Sequence, residues 1–428
     1  MSSSGRDAWR TIFAEAPSDE VVMKLAVLAA IALLAGAGPG DYVSDVTLFE
    51  QQLSAFHPHF DNVAFAAAAA ELKAALPSMT EEQADVGFMK LVASLGDRNG
   101  HSGIYPLDPG NHRVFHEYPF LVYEFADGVY VTGEIGGSDL VGARLTAVGG
   151  VPIGTVLAQV APLVPHDNRM TGIKLFRAMY LLNEEVLLGL GIAPTFSFVL
   201  PDGTPTVVAP AAVDAETFRQ ALDGLGLPMW PHGPDYAADR AAEVRLSLRA
   251  HGRVAYLAYN VTTVRTYGLA ARLLRLGSRP AVRRIVVDLR NNGGGDNHTY
   301  PPLIDALQRL GAKHKKIVVL AGRSTFSAAV NFMGDLERAT RYLLVGEDSG
   351  GAPNLYGDTV PLDLPLSGLR VDIATLWWVK SVLGASDPRV TFQPDVFVRP
   401  TAEAWFAGRD PALSAAFTAP AAKAHRIH

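Results

Sequence analysis

Residues 322–332 read GRSTFSAAVNF and follow directly on the apolar run KIVVLA at 316–321. A serine hydroxyl attacks an acyl group efficiently only if a base takes its proton and donors hold the oxyanion that forms. Ser327 stands where a strand pattern gives way to a helical one. Its hydroxyl would therefore lie at a strand end, with the Ala328 amide beside a helix N-terminus, where unpaired N–H groups favour negative charge. A simple helix cap from Ser324, Thr325 or Ser327 is the plainer alternative.

The preceding strand pattern favours the chemical reading. Residues 285–295, IVVDLRNNGGG, end an apolar run in three consecutive glycines. Their bare amides suit close approach to a ligand or a tight turn. A phosphate-binding loop is excluded on residue type: a GxGxxG beginning at Gly293 needs glycine at 298, where His298 stands, and no G-K-[ST] follows. Two neighbouring strand ends thus offer one hydroxyl and two amide donors to a single acyl group.

The surrounding pattern supplies elements that could position them. VTLFEQQLSAF, VAFAAAAAELKAAL and EEQADVGFMKLVASL, within residues 43–98, carry apolar residues at helical spacing. FLVYEFADGVYVTGEI, ARLTAVGGVPI and TFSFVLPDGTPTVVAP are strand-like runs broken by DG, GG and PDG turns, and MTGIKLFRAMYLLNEEVLLGLG is a helical insert among them. From about residue 240 short apolar strands alternate with helices, the pattern of an α/β layer with largely parallel strands and its site at their carboxyl ends.

Composition narrows the function classes. The 428 residues are 49% hydrophobic and 19% charged, with a net charge of −6. That charge leaves no electrostatic footprint for nucleic acid, and RLLRLGSRPAVRR and KHKK read as solvated helix faces. The chain has no cysteine, which excludes thiol nucleophiles, thiolate metal sites and disulfides. MKLAVLAAIALLAGAGPG, from Met23, has the basic start, short apolar core and Ala-Gly-Ala ending of a secretory signal peptide, too short to span a bilayer comfortably. It implies translation from Met23, cleavage after Ala37, and a secreted or periplasmic protein. A buried N-terminal helix is the alternative.

VVDLRNNGGG, then GRSTFSAA, VGEDSGGAPNLYGD and FQPDVFV, together resemble the tail-specific, or C-terminal-processing, serine peptidases. The resemblance follows element order over most of residues 41–400. It implies a crotonase-like α/β core with an inserted PDZ-like β-rich module and a helical N-terminal region. The expected divisions are a leader at 1–40, the helical region at 41–112, the PDZ-like module at 113–215 and the core at 216–428. It makes Ser327 the nucleophile and the amides of Ala328 and Gly294 the oxyanion hole.

One departure changes the expected base. Many members carry a lysine at the position that is Ala352 here. A tricorn-like branch instead takes a histidine from the segment before the PDZ-like module, and His101 in GDRNGHSGIYP matches it. For the supporting carboxylate the same branch points to Asp387. Glu347 and Asp348 are rivals, Asp395 belongs to a PDV turn, and Gly293, His298 and Asp348 are further cleft candidates.

The expectation is a serine peptidase acting on peptides or proteins without metal or cofactor. Two alternatives remain: a non-catalytic carrier of apolar ligands, as in the retinoid-binding proteins that share the module, or a small-substrate esterase or amidase. His57-Pro58-His59 with Asp61 reads as a helix-ending turn rather than a metal cluster. EDSGG at 347–351 would make Ser349 a nucleophile only in an all-β peptidase, which the α/β pattern disfavours. Oligomeric state and substrate sequence have no signal.

Overall fold

The computed structural model describes residues 37–420 except 59–61, 136, 138, 171–176, 225–232, 239–241 and 264–266. The signal-peptide segment thus lies outside the described residues but for Ala37, as do His59 and Asp61. The described chain is mixed α/β, with helices and several sheets. No helix among the described residues is long and apolar enough to cross a membrane.

Three helices open it: α1 (Val43–Phe56), α2 (Asn62–Ala75) and α3 (Glu81–Ala93). In α1 the apolar residues Val46, Phe49 and Leu53 recur every three or four positions and are all buried. Thr80 begins α3 with a capping box, its hydroxyl accepting from the Gln83 amide while the Gln83 side chain accepts from the Thr80 amide.

An antiparallel sheet follows, with neighbours in the order β1 (Phe120–Phe125), β2 (Gly128–Glu134), β3 (Arg144–Val148), β4 (Phe196–Val199) and β5 (Pro205–Val208). Val151–Pro152 also pairs with β3. Its apolar side chains join those of the N-terminal helices in one core that includes Phe49, Phe88, Phe120 and Phe196. The first two layers are therefore packed as one body.

The second core is built on β6 (Val244–Arg249), β7 (Val254–Tyr259), β8 (Arg284–Asp288), β9 (Lys316–Ala321), β10 (Leu343–Gly346) and the later short strand β13 (Val396–Phe397). Strands β7, β8, β9, β10 and β13 run parallel in that spatial order, and β6 closes the edge antiparallel to β7. Residues of β7, β8 and β10 are buried throughout, which explains why these runs do not alternate with polar residues. Helices α4 (Tyr267–Gly277), α5 (Pro301–Ala312) and α6 (Ala328–Ala339) connect consecutive parallel strands; side chains from them pack together on one face. Helix α7 (Pro411–Thr418) covers the other face, through Ala412 and Ala416. Between β10 and β13 the chain forms a long hairpin of β11 (Asn354–Asp363) and β12 (Arg370–Val379), which reaches back to the N-terminal region through a bridge between Gly103 and Asp372.

Candidate active site

Ser327 immediately precedes α6 with φ 52° and ψ −128°. A positive φ is uncommon for a residue with a Cβ, and such strain persists only where surrounding contacts impose it. Those contacts are explicit. The Thr325 hydroxyl donates to the Leu289 carbonyl at 2.9 Å and accepts from the Gly322 amide at 3.0 Å. The Phe326 amide donates to the Asn292 carbonyl at 3.1 Å. Thr325 therefore ties the serine turn to the neighbouring strand end and is not a helix cap. The Ser327 side chain makes no capping hydrogen bond either. The Ala328 amide has no main-chain acceptor among the described residues, whereas those of Ala329 and Val330 donate to Phe326 and Ser327.

The glycine turn comes directly against this serine. A Cβ added to Gly294 would lie 2.6 Å from Ser327 Cβ, 3.0 Å from its Oγ and 3.2 Å from the Ala328 nitrogen. Only a residue without a side chain fits there, which answers why the strand ends in glycines. Asn292, which no motif singles out, sets the turn: its Oδ1 accepts from the Gly294 amide at 3.0 Å and its Nδ2 donates to the Tyr259 carbonyl at 2.9 Å. The Gly294 amide, expected as an oxyanion donor, is thus engaged by a side chain. The Gly294 carbonyl accepts from Thr262, so the Gly295 N–H in the same trans peptide unit is directed away from Thr262. Gly295 has no main-chain acceptor among the described residues.

His101 is half-buried and belongs to a loop pinned from several sides. Asn99 is held by His57, whose Nε2 lies 2.8 Å from its Oδ1. The Arg98 amide donates to the Asp167 carbonyl at 2.8 Å, and the Arg98 carbonyl accepts from Tyr356 at 2.9 Å. Ser102 accepts the Ala374 amide at 3.0 Å. The His101 ring stacks on Phe326, the residue before Ser327, with ring centres 4.4 Å apart and planes inclined by 22°. Its Nδ1 has no hydrogen-bond partner among the described residues. Burial pushes the imidazole pKa down to about 4, against smaller opposing effects of the Asp358 carboxylate and the Tyr356 main chain. The ring is therefore neutral and able to accept a proton at physiological pH.

The expected acid is placed differently. Burial raises the Asp387 pKa, but hydrogen bonds from Ser381 and Arg389 outweigh it and leave the carboxyl below its ordinary value. Its Oδ2 accepts from Arg389 Nε at 2.8 Å and from the Ser381 hydroxyl, while Oδ1 accepts from the Arg389 amide. Among the described residues Asp387 reaches the His101 loop by its carbonyl, which accepts from Arg98 at 2.7 Å. Glu347 is committed to Arg323, at 2.7 Å, and Asp395 Oδ2 accepts from the Leu344 amide, as a structural turn requires. Asp348 is half-buried beside Glu347. The carboxylate whose charge acts on His101 is Asp358, at a positive φ of 53° in β11, oriented by Trp378 Nε1 at 2.6 Å. Asp358→Asn is expected to slow acylation of Ser327 about tenfold by removing a charge that stabilises the imidazolium, and Asp387→Asn by less than about threefold. Rates of covalent labelling measured side by side check this; the reverse order restores Asp387 to the role.

The remaining candidates separate clearly. His298 is 86% exposed and bonded to Asp296 at 2.9 Å, turned outward rather than onto Ser327. Ser349 is fully buried; its hydroxyl donates to the Gly351 carbonyl and accepts from the Phe392 amide, so it is a structural group. Ala352 is fully buried. Gly293 is half-buried in the glycine turn. A cavity behind the two loops is lined by Asn291, Gly322 and Ser324 together with Tyr123, Tyr236 and Trp405. At its floor Arg290 is paired with Asp288 and Asp410, and Arg323 with Glu347, which braces the strand ends.

No family model matches the chain, and no curated protein does. Among solved structures, mature CPAF aligns at 14% identity over 86% of this chain and 94% of its own, with a TM-score of 0.58. Mature CPAF complexed with lactacystin gives 14%, 86%, 95% and 0.57, and a CPAF point mutant gives 13%, 89%, 99% and 0.60. This chain shares their fold. The alignment runs nearly the full length of the CPAF chains.

Proposed function

We propose that this protein is a serine peptidase in which Ser327 attacks a peptide carbonyl and His101 takes its proton. The observation that carries the reading is Ser327 itself: a strained, uncapped hydroxyl held against a glycine backbone and an open helix-terminal amide, with a neutral histidine stacked on the adjoining Phe326. The motif resemblance to tail-specific peptidases and the shared fold with CPAF support it. On this reading the Asn354–Val379 hairpin region supplies Asp358 to stabilise the imidazolium, and the Ala328 amide supplies one oxyanion donor. Gly295 replaces Gly294 as the second donor, because the Gly294 amide already serves Asn292. Losing one such donor commonly costs about 10²–10³-fold in rate. The antiparallel sheet at 120–208 is read as the PDZ-like module and the parallel sheet as the crotonase-like core. An extended peptide added to an exposed strand edge of that module is the substrate mode it fits. Synthesis with the Met23–Ala37 signal would deliver the enzyme outside the cytoplasm.

A fluorophosphonate probe tests the nucleophile. Labelling is expected on the parent at Ser327, located by peptide mass mapping, and absent from Ser327→Ala. Lactacystin, held in one of the CPAF structures, provides a second probe. A folded parent that takes neither probe and cleaves neither peptides nor esters returns the chain to the carrier reading. Cleavage of esters alone favours the small-substrate one.

A further inference from the structure

Asp167 was not singled out by any motif, yet it lies between the loop of the base and the loop system of the nucleophile. Its side chain is fully buried. Oδ1 accepts the Gly100 amide at 2.8 Å, one residue before His101. Oδ2 faces the Gly351–Ala352 main chain, where a Cβ on Gly351 would approach it to 3.3 Å, and it makes no hydrogen bond of normal geometry there. That second loop is itself fastened to the serine turn. The Gly350 amide donates to Gly322 at 3.2 Å and the Gly351 amide to Thr325 at 3.1 Å. The neighbouring Asn168 strengthens the same junction, donating to the carbonyls of Ser349, Gly350 and Val390.

Gly100 fills the remaining space. A Cβ there would meet Asp167 Oδ1 at 2.9 Å and the Phe326 ring at 3.1 Å, so the Gly100 backbone is wedged between the carboxyl and the ring on which His101 stacks. Resting on the peptidase reading, we propose that Asp167 is the positioning residue that sets His101 relative to Ser327, by holding the Gly100 amide with Oδ1 while its other oxygen packs against the Gly351–Ala352 main chain. A buried carboxyl with one oxygen unbonded is costly unless it is neutral or constrains something. Burial indeed pushes its pKa up to about 7, against the Gly100 and Ala352 main-chain groups and the Arg98 charge. A base displaced by about 1 Å loses roughly 10²-fold in rate, which makes such a hold consequential.

The full-length protein with Asp167→Leu and Asp167→Asn tests it. Leucine fills the site without an acceptor, whereas asparagine keeps an oxygen for the Gly100 amide. Labelling of Ser327 is expected to slow at least tenfold in Asp167→Leu and to stay within about threefold of the parent in Asp167→Asn. In a His101→Ala background Asp167→Leu should cost nothing further, because residues acting through one group are not additive. The His101 ring-proton resonance provides a readout that does not need activity. Stacking on Phe326 displaces it from the random-coil position, and it should move back in Asp167→Leu but not in Asp167→Asn. Parental labelling and an unmoved resonance in Asp167→Leu overturn the proposal, as does an additive loss in the double variant. If the parent never labels, the peptidase reading fails, while the resonance still decides whether Asp167 positions the ring.

Discussion

Replacing His101 by alanine is expected to slow acylation of Ser327 by about 10²–10⁴-fold, the usual contribution of a positioned base. The parent should carry a pH signature that the variant lacks. Burial lowers the imidazole pKa to about 4, so the proton-accepting form predominates above that pH and is lost below it. The parental labelling rate should therefore rise with pH through about 4 and then level off. An unburied imidazole would place that limb near its ordinary value of 6.5. Returning acid-treated samples to neutral pH before labelling separates titration of the base from acid unfolding, since a reversible protonation leaves full activity. A parental rate in His101→Ala, or a limb unchanged by that substitution, assigns the base to another group. His298 would be the first to examine, despite its outward position.

How much of this was legible before the fold was known depends on the range of the interactions concerned. The parallel strands were readable because burial on both faces leaves continuous apolar runs such as RIVVD and KIVVLA. The place of Ser327 just before a helix was readable because a strand-to-helix junction is a local pattern. The need for glycine at 294 was legible as composition, although its reason, a Cβ collision with Ser327 some thirty residues on, is tertiary. The partners of His101 were not legible. Asp358, whose charge acts on the imidazole, lies in a hairpin far along the chain, and Asp167, which accepts from the Gly100 amide, lies in a segment with no motif. Asp387 shows the converse error. Its place in the motif order suggested proximity, but Arg389 two residues away and Ser381 six away satisfy its carboxylate locally. A carboxylate with a guanidinium at i+2 in an irregular segment was the available warning, since a strong local partner competes with any distant histidine. Asn292 offered a similar local signal, because Asn side chains habitually bond main-chain amides two residues on.

The other large effect is expected from Gly294→Ala, and it tests the meeting of the two strand ends without removing any polar group. Two costs coincide at this position. Its φ of 122° is strained for an L-residue, and the added methyl would lie 2.6 Å from Ser327 Cβ, an atom fixed to the main chain that no rotamer can move away. Relief requires separating the glycine turn from the serine turn, which draws the hydroxyl and the Ala328 amide from their common focus. Labelling is expected to fall by more than about 10²-fold, as a displacement of 1 Å at reacting atoms does. Backbone strain alone is controlled by Gly203→Ala, at a φ of 89° in the turn between β4 and β5 with no neighbour within 4 Å of the added carbon. That variant should lose stability of order 1 kcal/mol yet label at the parental rate. If Gly294→Ala instead labels as the parent does while remaining folded, the glycine turn and Ser327 do not share one acyl group. The oxyanion would then have to be held by the Ala328 amide with donors from outside the glycine turn, and the three glycines would be explained by chain geometry alone.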